Sequence, residues 1–391
     1  MANTEELFKA STAKRTILVA DDELINREIL GAILEDDYNI IYAAGGISCR
    51  RNADTFLVYC PNGADYQDIL MKASAGLDGT GRVRLRMGVY KNADKTLDIE
   101  RRFDRAKSAS DTVRNSFTKS IGFYDDELHQ KELFAEQLIE DFPAAIREEQ
   151  FSVFYQPKYN IQQETPVLCS AEALVRWQHP KLGMISPGLF IPLFEENGLI
   201  QQLDYYVWRK TAEQMRAWKD RLGVLLPVSV NVSSIDMYDP KLIEYFHSLL
   251  EEYRLSSEEF RLEITESAYT QDSAQIISTV NRLREFGFRI EMDDFGTGYS
   301  SLNMISSLPI DVLKLDMQFI RNAFRDGKET RLIEIIIDIA DYLGVPTTAE
   351  GVETEEQLQS LKAMGCDMAQ GYYFSPPVPA DVFEKNFYPA H

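Results

Sequence analysis

Residues 260–294 read FRLEITESAYTQDSAQIISTVNRLREFGFRIEMDD. The stretch opens on FRLEITE and closes on FRIEMDD, two short runs rich in branched and aromatic residues. Between them, in AQIISTVNRLREFG, Ile276, Ile277, Val280 and Leu283 recur at the spacing of one helix face. Strand, helix, strand is the unit of a parallel α/β sheet. The unit repeats on both sides. Upstream lie FSVFYQP (151–157), VLCSAEALVRW (167–177) and PVSVNVS (227–233); downstream lie VLKLD (312–316), PTTAEG (346–351) and AQGYYF (369–374). Helical stretches such as YYVWRKTAEQMRAWKDRL (205–222) fill most of the gaps. Strand–helix units repeated over ~240 residues predict an α/β fold, a TIM-type (β/α)8 barrel of parallel strands.

Polar residues fall at the strand ends. Glu172 follows the apolar start of its run, Asn231 ends PVSVN, and Glu263 and Glu266 close RLEITE. Asp293 and Asp294 end RIEMDD, Lys314 and Asp316 close VLKLD, Glu350 and Glu353 lie in AEGVE, and Gln370 opens QGYYF. One strand-end acid is an ordinary helix cap. Successive strands that each bring a polar group to one rim are a site, because barrel chemistry gathers at the carboxyl ends. Carboxylates so close together repel unless cations sit among them. No histidine stands near them at a zinc spacing, and an all-oxygen set selects a hard ion, Mg²⁺ or Mn²⁺. Two such ions clamp the attacking and leaving oxygens of a phosphodiester.

Composition narrows the partners. Lys plus Arg number 41 and Asp plus Glu 62, a net charge of −21 that repels nucleic-acid polymers. A small phosphorylated ligand held by cations stays possible. Cys49, Cys60, Cys169 and Cys366 show no C-x-x-C spacing, which predicts reduced thiols in a cytoplasmic protein. The start carries no apolar leader and no long apolar run follows, so neither secretion nor a membrane span is expected.

Ahead of the barrel, ILVADD (17–22), ELINREILGAILEDDY (23–38) and NIIYAAGG (39–46) read strand, helix, strand. This segment, 1–46, resembles a truncated response-regulator receiver, with Asp21 and Asp22 as its acid pair; nothing later supplies a phosphorylatable Asp. RNADTFLVYCPNG, VRLRMGVY and LDIERRFDRAKSASDTVR, within 47–127, resemble part of a GGDEF diguanylate cyclase domain. The signature there reads Asn52, Ala53, Asp54, Thr55, Phe56, without the glycines and the acid that cyclisation needs, so a degenerate remnant is expected. Residues 126–147 carry helical periodicity, and 128–147 are read as a connector into a barrel at 148–391.

EALVRW, NVS, EITES, DDFGTGYSSL, KLD, AEGVE and QGYYFSPP, in that order, resemble the EAL family of cyclic-di-GMP phosphodiesterases over residues 140–391. The resemblance implies two metal ions held by Glu172, Asn231, Glu263, Asp293, Asp294 and Glu353. It gives catalytic parts to Glu172, Lys314 and Glu350, with Glu266 tethering the loop 295–301. Gln156, Leu174, Arg176, Asp316 and Gln370 would meet the substrate. Gly296 and Gly298 would let the loop move and couple the site to a homodimer through the barrel. Met317 stands where the family often has a basic residue. The activity implied is hydrolysis of cyclic di-GMP to linear pGpG. The alternatives are a silent domain that binds the dinucleotide or a protein partner as a sensor, and a scaffold regulated through the amino-terminal pieces.

Overall fold

The computed structural model describes residues 15–20, 38–43, 47–50, 56–59, 65–77, 85–114, 116, 118–223, 226–271, 273–296, 308–326 and 330–387. The chain divides into two compact units, 1–134 and 135–391. In the first, β1 (Arg15–Ala20) pairs in parallel with β2 (Tyr38–Ala43), and β3 (Ile47–Arg50) pairs antiparallel with β4 (Phe56–Tyr59). β5 (Met87–Tyr90) and β6 (Ile121–Tyr124) form a third, parallel pair, with the helix Ile99–Asp111 between them in sequence. Asp21, Asp22 and residues 52–55, which carry the receiver-like and GGDEF-like readings, lie outside the described residues.

The second unit is a closed barrel. Its strands are β7 (Phe151–Asn160), β8 (Val167–His179), β10 (Val228–Asn231), β11 (Phe260–Thr265), β12 (Ile290–Phe295), β13 (Val312–Leu315), β14 (Thr347–Ala349) and β15 (Met368–Ala369). Two short strands extend the sheet: β9 (Gly183–Ile185) beside β8 and β16 (Val378–Pro379) beside β7. The eight expected strands are present, with two corrections. β7 runs antiparallel to both of its barrel neighbours, β8 and β15, so the barrel is not wholly parallel. Residues 161–166, which join β7 to β8, are too few for a helical crossover, and a connection that short makes a hairpin. The AQGYYF strand stops at Ala369, because the chain turns at Gly371. A Cβ on Gly371 would lie 2.2 Å from the Val352 carbonyl oxygen, so only glycine permits this approach of the loops after β14 and β15.

Period-two alternation sorts the barrel strands into two faces. Val228, Val230, Leu262, Ile264, Ile290, Met292, Leu313 and Leu315 are buried in the apolar core shared with the surrounding helices. Between them stand Ser229, Glu263, Glu291, Asp293 and Lys314, also buried. These polar residues belong to the other face, so the barrel interior is charged where branched apolar side chains usually fill it. The helices dock by their own spacing. Thr330–Leu343 buries Ile333, Ile336, Ile337 and Ala340, one stripe of a 3.6-residue period. Glu355–Ala363 starts at a capping box in which Thr354 and Gln357 each satisfy the other's backbone N–H. Phe246, fully buried, packs on the rings of Trp208, Phe260 and Phe288 at centroid distances of 4.5, 6.0 and 5.5 Å. Phe246→Ala is expected to lower the unfolding free energy of the barrel by about 3–5 kcal/mol, read by urea denaturation.

Candidate active site

Lys314, on β13, has no exposed surface. Its Nζ lies 2.6 Å from Glu263 Oε2, 2.7 Å from Glu350 Oε1, 2.9 Å from Asp293 Oδ1 and 3.6 Å from Glu172 Oε2. Four strand positions meet at this one ammonium: Glu172 on β8, Glu263 on β11, Asp293 on β12 and Glu350 just after β14. The parallel register makes this possible, since Asn231 stands opposite Glu263 and Thr265 opposite Asp293. Glu172, Glu263 and Asp293 each offer a carboxylate oxygen, and these oxygens lie within 4.8 Å of one another.

Amides complete the first ring of contacts. Asn231 Nδ2 donates to Glu172 Oε1 at 3.3 Å, and Gln370 Nε2 donates to Glu172 Oε2 at 2.6 Å and to Gln156 Oε1 at 2.9 Å. Gln156 Nε2 in turn donates to the Ser375 carbonyl. Glu172 is not at a strand end, as the sequence suggests: β8 continues past it to His179 and pairs with β7 and β9 beyond the barrel.

β12 breaks register between Met292 and Phe295, and Asp294 there takes a left-handed backbone, φ 58°. Such a bulge re-aims side chains, so two consecutive acids need not point to opposite faces. Asp294 accordingly feels Asp293, Lys314, Asp316 and Glu172, and burial, with Asp293 next, pushes its carboxyl up to about 6. The next residue, Gly296, has φ 103°, and its N–H donates to Glu266 Oε2 at 3.1 Å. A Cβ there would press on the Phe319 ring at 3.1 Å. Gly298 and residues 297–307 lie outside the described residues.

Other expected residues form their hydrogen bonds and ion pairs outside this cluster, although Asp316 acts on Asp294 and Arg176 on Glu172 through charge. Glu353 pairs with Arg321 near the surface, and its backbone N–H donates to Gln357. Asp316 accepts from the backbone N–H groups of Gln318 and Phe319, the geometry of a cap on the helix Met317–Asp326. Arg176 Nη1 donates to the neighbouring Val175 carbonyl, and its guanidinium lies 5.7 Å from the Phe154 ring centre. Leu174, two residues beyond Glu172, sits opposite Phe154 in the β7–β8 hairpin.

Two residues of the site are absent from the sequence reading. Lys158, on β7, donates to Glu263 Oε1 at 2.5 Å, to Glu291 Oε2 at 2.6 Å and to Ser229 Oγ at 3.1 Å. Glu291 also pairs with Arg261 at 3.3 Å. Burial opposes the Glu291 charge, but Lys158 and Arg261 outweigh it and hold the carboxyl down at about 2. The signal was there in the alternation: Lys158 stands two residues after Gln156 and Glu291 two before Asp293, so each shares a face with a site residue.

The electrostatics leave a deficit of positive charge at the rim. Burial, together with Asp293 and Glu172, pushes Glu350 up to about 8 although Lys314 is beside it. Gln370 Oε1, buried beside Glu172, has no hydrogen-bond partner among the described residues. Hard oxygen donors, crowded carboxylates and an orphaned acceptor fit divalent cations of the Mg²⁺ or Mn²⁺ class.

Residues 139–377, most of the barrel unit, match the EAL domain family. The chain belongs to that family. This EAL chain is 34% identical over 357 residues to an uncharacterized signaling protein of Caulobacter vibrioides, covering 89% of this chain and 41% of that protein. It is 35% identical over 302 residues to a protein of Pseudomonas aeruginosa named as a cyclic di-GMP phosphodiesterase, covering 76% of this chain and 50% of that one. It therefore spans half or less of the length of these relatives. Among solved structures it is similar to the PaMucR phosphodiesterase in complex with c-di-GMP, at 34% identity and a TM-score of 0.60, over 63% of this chain and 99% of that one.

Removing Lys314 from this EAL site leaves Glu172, Asp293 and Glu350 without the ammonium they share, while Glu263 keeps Lys158. Lys314→Met is expected to destabilise the metal-free protein by about 3–5 kcal/mol, measured by denaturation in the presence of a chelator.

Proposed function

We propose that this chain hydrolyses cyclic di-GMP to linear pGpG with two divalent cations, Mg²⁺ or Mn²⁺. The convergence of Glu172, Glu263, Asp293 and Glu350 on Lys314 at one end of an EAL barrel carries the reading. Similarity to a protein named as a cyclic di-GMP phosphodiesterase supplies the substrate class. In this reading Glu172, Asn231, Glu263 and Asp293 would hold one ion. Asp293 and Asp294 would hold the second, and Glu353 would support it. When bound, the ion pair supplies Lewis acidity that makes water nucleophilic near neutral pH and absorbs charge on the phosphoryl oxygens.

The chain's own groups do the positioning. Lys314 Nζ and Glu350 Oε1, 2.7 Å apart, fix one spot where the attacking water is oriented toward phosphorus. The bond from phosphorus to the 3′ oxygen breaks, that oxygen takes up a proton, and the product keeps a 5′-phosphate. The Arg176 guanidinium would bind a phosphate as a fork. Gln156, Leu174 and Asp316 would line the dinucleotide, and Gln370 would complete the ring around Glu172. Glu266 would hold the loop after β12 in place through the Gly296 N–H. The amino-terminal unit adds no cyclase chemistry in this reading, because Asn52–Phe56 lacks the glycines and the acid of a GGDEF signature.

Purified protein with Mn²⁺ or Mg²⁺ is expected to convert cyclic di-GMP to pGpG, followed by chromatography. Chelation or Glu172→Ala should abolish the product. Tight binding with no product over hours would instead establish the sensor reading. Ca²⁺ should not replace Mg²⁺ in the same assay, since its larger and looser coordination sphere disturbs two-ion geometry.

A further inference from the structure

We propose that Lys158 is a positioning residue that orients Glu263, holding one oxygen of that carboxylate inside the barrel so that the other faces the rim. The proposal deepens the hydrolase reading and rests on it. Glu263 is gripped from two sides: Lys158 meets Oε1 at 2.5 Å, and Lys314 meets Oε2 at 2.6 Å. All three residues are buried. The terminal torsion of a glutamate is broad, so the side chain alone does not decide which oxygen points to the rim. An external hold is needed, and Lys158 supplies it from β7, across the barrel from β11.

Lys158 is itself fixed. An ammonium has three N–H donors, and Glu263 Oε1, Glu291 Oε2 and Ser229 Oγ take all three. Below it, Arg261 anchors Glu291 at 3.3 Å. The result is a column of alternating sign through the barrel: Arg261, Glu291, Lys158, Glu263, Lys314. Packing does not account for it. Burying ions costs several kcal/mol each, and apolar side chains of similar volume fill a core as well or better. Of the column's members, Lys158 touches Glu263 yet is not among the proposed cation-holding residues, and its ammonium has no acceptor capacity of its own. Among the described residues, its hydrogen bond to a proposed cation-holding group goes to Glu263.

The test uses the full chain and Mn²⁺ alone, with binding read by titration calorimetry and folding by circular dichroism. Lys158→Met is compared with the double variant K158M/E291L, which removes a lysine and a glutamate together and leaves the net charge unchanged. We expect Mn²⁺ affinity about 10–100-fold weaker in each folded variant, the usual loss when a supporting partner of a ligand is removed. In the double variant this loss should persist while thermal stability returns toward the wild type, a split that mere space-filling would not produce. If the single variant does not fold, the double variant decides alone. A double variant that binds Mn²⁺ as the wild type does, or that fails to fold, overturns the proposal. A wild-type chain that binds no Mn²⁺ sinks the hydrolase reading instead.

Discussion

A fully buried ammonium surrounded by carboxylates is the constraint on which this barrel depends. Lys314 sits within 3.6 Å of Glu172, Glu263, Asp293 and Glu350. Opposite charges at such distances in a desolvated interior attract strongly, but each ion is costly to dehydrate. The balance holds only if the strands deliver every partner in register. β8, β10, β11, β12, β13 and β14 run parallel, and so each contributes its polar residue at a comparable height. Closure of the barrel and convergence of the charges are one geometric condition.

Much of this was legible in the residues. FRLEITE, FRIEMDD and VLKLD alternate apolar and polar groups, so strand and facing could be read together. Their carboxyl-end acids had to meet once the strands lay parallel. What escaped reading depends on relations between distant segments. The antiparallel seam at β7 follows from the short connection 161–166, a length signal outweighed by the repeated strand–helix pattern. The bulge at Asp293–Asp294 is a local backbone choice that two successive aspartates do not announce. Lys158 lies just past the run FSVFYQP read as a strand, and its importance lies in Glu263 and Glu291, more than a hundred positions away in the chain.

The rim divides labour between rigid and adaptable parts. Glu172, Glu263 and Lys314 lie within strands, where neighbouring ladders fix the backbone. Asp294, Gly296 and Glu350 lie at or past strand ends, where backbone geometry is less constrained. The link from Glu266 to the Gly296 N–H ties the second group back to the residue that follows β11. Ion-holding groups on strands with adjustable groups at their tips is an arrangement suited to a substrate that must enter, react and leave.

The antiparallel seam also governs how the protein is made. β7 pairs on one side with β8, its neighbour in sequence, and on the other with Met368–Ala369 and Val378–Pro379. A chain emerging from the ribosome therefore holds one edge of its sheet unpaired through most of the barrel's synthesis, and only β15 and β16 seal it. Contacts so far apart in sequence form late, and an open edge is a template for another chain. During translation, protection of that edge falls to whatever shields the nascent polypeptide until residues 368–379 arrive.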